Sequence, residues 1–219
     1  MSSWDQRGKY LVDVSQRCLK GHKTFDLCRS HLVQASQISK GTIYNHFNSE
    51  ADLIVAVGCD QLERWLTQAR NDSEVYLDPY TRFIYHHCQR LYSILSEKMF
   101  VIERVLPNDD ILSKSSDAFQ EKFKTLAATY YHWNADAIKE IGEINGFDRV
   151  ELVIQYLRGA LINIDDAQKQ YDSPELYHQL SYALTQLIGH SNKRIPALKD
   201  FKTWLLTQGQ SRNVSINLS

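Results

Sequence analysis

Between Ser39 and Phe47 the chain reads Ser-Lys-Gly-Thr-Ile-Tyr-Asn-His-Phe, which puts several phosphate- and base-binding side chains within about two turns of helix. Ser39 is a natural N-cap, and the free amides and partial positive charge at a helix start favour an approaching phosphate. Lys40 adds a full charge at the same end, while Gly41 lets the backbone come close to a ligand. Thr42, Tyr44, Asn45 and His46 offer hydroxyl, amide and imidazole groups. Ile43 and Phe47, four residues apart, are expected to anchor the opposite face in a core. The chemistry on offer is contact with the backbone and base edges of DNA.

Three elements must position this segment. Tyr10, Leu11, Val14 and Cys18 follow helical spacing over residues 6–19, and Gly21 is placed to stop that helix. A second helix is expected from the N-cap candidate Asp26 to residue 36, with Leu27, Leu32, Val33 and Ala35 available for packing. After a break at Gln37-Ile38 comes the helix of residues 39–46. Two short helices across a tight break make a helix-turn-helix candidate, the second being the recognition helix. Ser49-Glu50-Ala51-Asp52 then has the capping-box pattern, predicting a fourth helix that reaches about residue 70, where Asn71-Asp72-Ser73 breaks it.

The string from Ile38 to Phe47, followed by Asn48-Ser49 and an acidic helix start into Leu53, resembles the DNA-binding domain of TetR/AcrR-type transcriptional regulators over about residues 9–57. The resemblance implies a homodimer, an N-terminal three-helix DNA-binding domain, and a larger helical domain that binds an effector and dimerises. It also implies DNA contact by Ser39, Lys40, Gly41, Thr42, Tyr44, Asn45 and His46. Four positions depart from the family. Gln37 stands where glycine is usual in the turn, and a left-handed conformation there costs glutamine roughly 1 kcal/mol more than glycine. Glu50 stands where lysine is frequent; if that lysine meets a phosphate in the family, this chain lacks the contact and leans more on Lys40, Tyr44 and His46. Cys28 and Arg29 replace the common Thr and Val, and Arg29 or Ser30 is expected to reach the DNA backbone.

The composition supports this division. Of 219 residues only 9 are glycine and 4 proline, a low count of helix breakers. The net charge is −1, which taken whole argues against a basic nucleic-acid coat. Residues 1–47, however, carry seven basic and three acidic groups, leaving the rest of the chain at −5. Cys18, Cys28, Cys59 and Cys88 form no CxxC pair and read as reduced thiols in a cytoplasmic protein. No apolar run is long enough for a membrane span. Phosphate-loop, GxSxG, GxGxxG and HExxH motifs are absent, so no enzyme, cofactor or metal is expected. His86-His87-Cys88 does not read as a metal site, because neighbours on a helix point about 100° apart. Asp165-Asp166 reads as a solvated helix end.

The expected fold is all-α: a DNA-binding domain over residues 1–48, an effector-binding and dimerisation domain over 49–208, and a polar, frayed tail over 209–219. Long helices are predicted near 80–105, 111–143, 148–170 and 175–188, with a short one near 197–208. Breaks fall at Leu77-Asp78-Pro79, Leu106 to Asp109, Asn145-Gly146, Asp172 to Pro174, and between Gly189 and Pro196. Aromatic side chains in the middle helices can line an effector pocket, and Phe83, His87, Tyr92, Phe123, Tyr130 and Trp133 are the candidates. Apolar stripes on residues 150–164 and 176–188 are wide enough to pack on a partner as well as on their own domain. Taken with these features, the family resemblance implies a ligand-responsive repressor that binds a palindromic double-stranded operator as a homodimer and is released by a small apolar or amphipathic effector. The alternative is a helical DNA- or protein-binding adaptor without a small-molecule ligand.

Overall fold

The computed structural model describes residues 3–142, 148–190 and 195–216, with side chains through residue 208. The described residues contain ten α-helices and no strand: α1 (Ser3–Cys18), α2 (Arg29–Ser36), α3 (Lys40–His46), α4 (Glu50–Val75), α5 (Pro79–Glu97), α6 (Asp109–Lys114), α7 (Asp117–Ile141), α8 (Arg149–Asp166), α9 (Pro174–Leu187) and α10 (Leu198–Ile216). A 3-10 turn, Ile102–Arg104, lies between α5 and α6.

The first three helices close around Leu11, Val14, Leu32, Ile43 and Phe47, all buried. An apolar side chain of this size contributes about 1.5–3 kcal/mol when fully buried, which holds three helices too short to persist alone. The second helix begins three residues after the expected Asp26, because Asp26 bonds His22 Nδ1 at 2.8 Å instead of capping. Its first amide, that of Arg29, donates to Glu50 Oε2 at 2.9 Å. The cap of α2 is therefore supplied by α4.

Gln37, between α2 and α3, adopts φ 58° and ψ 21°, the left-handed region. The buried Ser36 Oγ accepts the Ile38 amide at 3.2 Å and closes the turn. An L-residue pays about 1–2 kcal/mol there, and glycine gives back about 0.4–1 kcal/mol through its freer unfolded chain. Gln37→Gly is thus expected to stabilise by about 0.5–1 kcal/mol, raising the thermal midpoint by roughly 1–4 °C. A melting curve unchanged or lowered by this substitution would contradict the left-handed turn.

The capping box of α4 is present, with Ser49 and Asp52 bonding reciprocally. This helix continues to Val75, through the expected break at Asn71-Asp72-Ser73. Asp72 is buried and accepts Gln68 Nε2 and His86 Nδ1, each at 2.8 Å. A side chain occupied by tertiary partners does not compete with the helical backbone. The helix expected over 80–105 stops at Lys98, which is left-handed at φ 53°. The helix expected over 111–143 is two, α6 and α7, parted at Ser115-Ser116, where the Ser116 amide donates to Asp52 Oδ1 at 2.6 Å. The expected break at residues 145–146 lies outside the described residues, as does part of that at 189–196.

One apolar cluster joins α1–α4 to the 3-10 turn and α7, and a second joins α5 and α7–α10. The core therefore runs across the turn at residues 48–49. Two polar ties add to it: the Gly21 amide donates to the Lys98 carbonyl at 2.8 Å, and Lys23 Nζ pairs with Asp165 at 2.5 Å. Asp165 also pairs with Arg104 at 2.8 Å and Asp166 with the same guanidinium. The solvated-end reading of these two acids is thereby corrected: they receive two cations from other parts of the chain.

Most of the wide stripe on α8 and α9 is used within the chain. Val150, Val153, Leu157 and Leu161 are buried, as are Leu176, Leu180 and Leu184. On the far side of α9 lies α10, whose Phe201 and Trp204 pack on Tyr177 at ring-centroid distances of 6.3 and 4.9 Å. The α10 backbone remains helical through Ile216, into the segment expected to fray.

Candidate functional site

Two places hold the residues singled out by the sequence. The first is α3. Ser39 Oγ accepts the Thr42 amide at 3.3 Å and lies 2.9 Å from Thr42 Oγ1, so the serine caps the helix and Thr42 is drawn to the same end. Ile43 and Phe47 are fully buried beneath it, while Lys40, Gly41 and Asn45 are exposed. A Cβ built on Gly41 meets nothing within 4 Å, so this glycine leaves open surface at the helix start. Tyr44 is half-buried, with Lys40 Nζ 5.3 Å and the Arg29 guanidinium 4.3 Å from its ring centroid. Cations over an aromatic face are mutually stabilising and hold the phenol in place.

Arg29 and His46 turn inward. Arg29 Nε bonds Glu50 Oε1 at 2.9 Å, and its Nη1 donates to the carbonyls of Phe47 and Asn48 at 3.0 and 2.7 Å. A guanidinium on the carbonyls just past the end of α3 is a favourable helix terminus, and it commits the Nε and Nη1 donors to the fold. Glu50 is the counterpart of that arrangement: its carboxylate caps α2 and holds Arg29. His46 stacks on Trp4, with centroids 3.6 Å apart and planes at 20°, and its Nε2 is buried without a hydrogen-bond partner. Burial, then the nearby Arg7 charge, lowers its pKa. Neither contact was legible in sequence, since Trp4 lies 42 positions from His46 and Glu50 lies 21 from Arg29.

The second place is a cavity of about 270 Å³ between α4, α5, α7, α8 and the turn before α6. Its walls are mainly apolar: Leu62, Trp65, Leu106, Phe123, Ala127, Tyr130 and Leu157. Of the sequence candidates, Phe123 and Tyr130 line it. The other four lie elsewhere. Phe83 and His87 are packed edge to face at 4.7 Å, Trp133 stacks on Phe83 and on Tyr130, and Tyr92 packs against Tyr171 and Trp204.

The cavity also has a polar wall that the sequence did not reveal. Arg90 and Glu103 are both buried and form an ion pair through Nη2 and Oε1. The guanidinium carbon lies 3.6 Å from the Trp65 ring centroid. Behind this wall runs a hydrogen-bonded chain in which Asp72 meets His86 Nδ1 and His86 Nε2 meets the Tyr130 hydroxyl, both at 2.8 Å. His86 is thereby oriented by a carboxylate and a phenol. Among the described residues, no three His, Cys, Asp or Glu side chains converge as a metal site. None of the helices they form is long and apolar enough to cross a membrane.

His87, next to this chain, has neither ring nitrogen hydrogen-bonded. Burial first, then the charges of His86 and Arg90, push its pKa well below the ordinary value of 6.5. A base depressed in the fold binds its proton more readily when unfolded, so stability is full above pH 6.5 and is lost as pH falls below it. One such histidine contributes a slope of up to about 1.4 kcal/mol per pH unit. His87→Leu is expected to leave stability at pH 7.5 within about 1 kcal/mol, as for a buried unpaired polar group made apolar. It should also flatten the decline between pH 6.5 and 5.5 by up to that slope. Urea unfolding at the three pH values measures it, and parallel declines for the two proteins would refute the assignment.

Comparison with known proteins agrees with this geometry. No protein-family model matches the chain, and no curated protein matches it. Solved structures do. A TetR transcriptional regulator from Rhodococcus sp. RHA1 is 13% identical, with 85% of this chain and 99% of that one covered at a TM-score of 0.55. The regulator FadR from Bacillus subtilis, in complex with stearoyl-CoA, is 15% identical, with 83% and 98% covered at 0.58. RolR, in complex with resorcinol, is 14% identical, with 89% and 97% covered at 0.54. The fold is that of TetR- and FadR-type regulators, with an N-terminal helix-turn-helix head and a helical C-terminal body.

Proposed function

We propose that the protein is a ligand-responsive transcriptional regulator that represses by binding a palindromic operator as a homodimer. The observation that carries this is α3 itself: a capped helix anchored by Ile43 and Phe47 that presents Lys40, Gly41 and Asn45 to solvent, with Tyr44 held between the core and the surface. Ser39, Lys40, Gly41, Thr42, Tyr44 and Asn45 face the DNA in this reading. Arg29 and His46 act indirectly, by fixing the C-terminal end of α3 against α4 and α1. The concentration of positive charge in the first 47 residues draws the head to phosphate, and the acidic remainder keeps the body off it.

Two copies would meet through the outer faces of α8 and α9, where Tyr182 is exposed and Gly159 has open space above it. The effector would enter the apolar cavity. Because α4 runs unbroken from the turn after α3 to the cavity wall at Gly58, Leu62 and Trp65, a ligand that prefers one setting of α4 shifts the population of head positions. The similar structures that hold stearoyl-CoA and resorcinol support a small-molecule effector. The setting is cytoplasmic, where all four cysteines stay reduced.

The test is selection of DNA fragments by the purified protein, followed by titration of the selected site at several salt concentrations. A palindromic site is expected. Lys40→Ala should weaken binding, lower the salt slope by about one, and leave the melting temperature unchanged. Adding Tyr44→Ala should weaken binding further. An extract of small molecules should release DNA from the native protein but not from a variant with the cavity filled at Ala127. Absence of sequence-selective, salt-sensitive binding refutes the regulator reading.

A further inference from the structure

We infer that the ligand of the cavity is a neutral one- or two-ring compound bearing a hydroxyl donor, such as a phenol or aryl alcohol. This rests on the reading of the cavity as the effector site and narrows its chemistry.

Size sets the first limit. An apolar cavity of ~150 Å³ accepts benzene, so the space here, about 270 Å³, suits one ring with substituents or two fused rings and is short of room for a long acyl chain. Shape sets the second, because Trp65, Phe123 and Tyr130 offer ring faces and edges on which a flat ligand stacks.

Charge and hydrogen bonding set the third. The Arg90–Glu103 pair joins Nη2 to Oε1 and leaves Glu103 Oε2 and Arg90 Nε, both buried, without hydrogen-bond partners. Asn134, also in the wall, gives its amide to the Tyr130 carbonyl at 2.8 Å, and its Oδ1 is likewise unpartnered. The wall thus offers two acceptors and one donor in a setting where an unpaired polar atom is costly. A hydroxyl satisfies two of these three atoms, donating to Glu103 Oε2 and accepting from Arg90 Nε, and a second donor on the ring would serve Asn134 Oδ1. A ligand carboxylate would confront the Glu103 oxygen, and a ligand ammonium would confront Arg90 with Arg158 close by in the lining. A neutral donor avoids both repulsions.

The probes are 2-naphthol, 2-methoxynaphthalene and 2-naphthoate, titrated into the full-length protein by calorimetry, with quenching of tryptophan fluorescence that is lost in Trp65→Phe as a second readout. The expected result is 2-naphthol binding about tenfold or more tightly than its methyl ether, since a site built around a hydroxyl rejects the analogue that lacks the donor. It should also bind more tightly than the carboxylate. Ala127→Phe, or the smaller Ala127→Leu if the first lowers the melting temperature, should abolish or weaken all binding. Equal affinity for naphthol and ether, or tighter naphthoate binding, with sensitivity to Ala127 retained, overturns the donor inference while leaving an effector cavity in place. No Ala127-sensitive binding of any probe overturns it too. The effector reading itself falls only when the extract releases DNA equally from native and cavity-filled proteins.

Discussion

Arg90→Leu is expected to lower the unfolding free energy by about 3–5 kcal/mol, and Glu103→Leu by a similar amount, because each strands a charge in the protein interior. Both residues are buried, and each is the other's ionic partner. The double substitution should recover most of the loss, since the second change removes the charge that the first leaves uncompensated. It does not recover all of it, because Arg90 also lies over Trp65 and that stacking goes in either case. Urea unfolding of the native protein, both single variants and the double completes the cycle. Additive losses would mean that the two groups are solvated independently, contrary to the geometry. A similar cavity wall made wholly apolar should also lose its preference for a hydroxyl over an ether in the naphthalene series.

Asp52→Ala should cost about 2–4 kcal/mol, a loss of roughly 5–15 °C in melting temperature. The carboxylate is fully buried and accepts three backbone amides: those of Asn48 at 2.8 Å, Ser49 at 3.2 Å and Ser116 at 2.6 Å. An ordinary helix cap is worth about 1 kcal/mol. This one does more, because it closes the turn after α3, starts α4 and holds the first turn of α7 in a single group. The expected signature is local as well as global, with hydrogen exchange accelerating at Asn48 and Ser116 before the rest of the chain. Operator affinity should fall along with stability, since α3 is oriented through the same turn. A loss of only about 1 kcal/mol with exchange at Ser116 unchanged would reduce Asp52 to a local cap.

The parts of the head that the sequence disclosed are those in which cause and effect lie within four residues of each other. Ser39 caps the helix it begins, Ile43 and Phe47 share a face, and Ser49 and Asp52 form a reciprocal cap, all from i, i+3 and i, i+4 geometry alone. The left-handed turn at Gln37 is anticipated on a different ground, the glycine that the resembling family usually has at that position. For Asp72 and Asp165 local patterns do not suffice, because each carboxylate serves equally well as a breaker or a solvated end until a partner arrives from elsewhere, and those partners are His86, and the pair Lys23 and Arg104. Asp26 differs: its partner His22 is only four residues away, and the local pattern still does not say whether that pair or a helix cap forms. The cavity shows the same limit. Six aromatic and imidazole side chains looked equivalent along the helices, but only Phe123 and Tyr130 reach the void, since which face of α5 or α7 borders empty space depends on how the helices cross.

The sequence by itself determined the all-helical architecture, the capped helix after residue 39 and the separation of a basic N-terminal region from an acidic remainder, because periodicity, capping and charge are summed over neighbouring residues. The tertiary structure decided which polar groups are spent on the fold and which keep unused hydrogen-bonding capacity. Arg29 and His46 were assigned inward by Glu50, the α3 carbonyls and Trp4, and Arg90 with Glu103 was placed on a cavity wall with hydrogen-bonding capacity left over. A buried polar atom acquires its meaning from partners that are distant in the chain, and only packing brings those partners together.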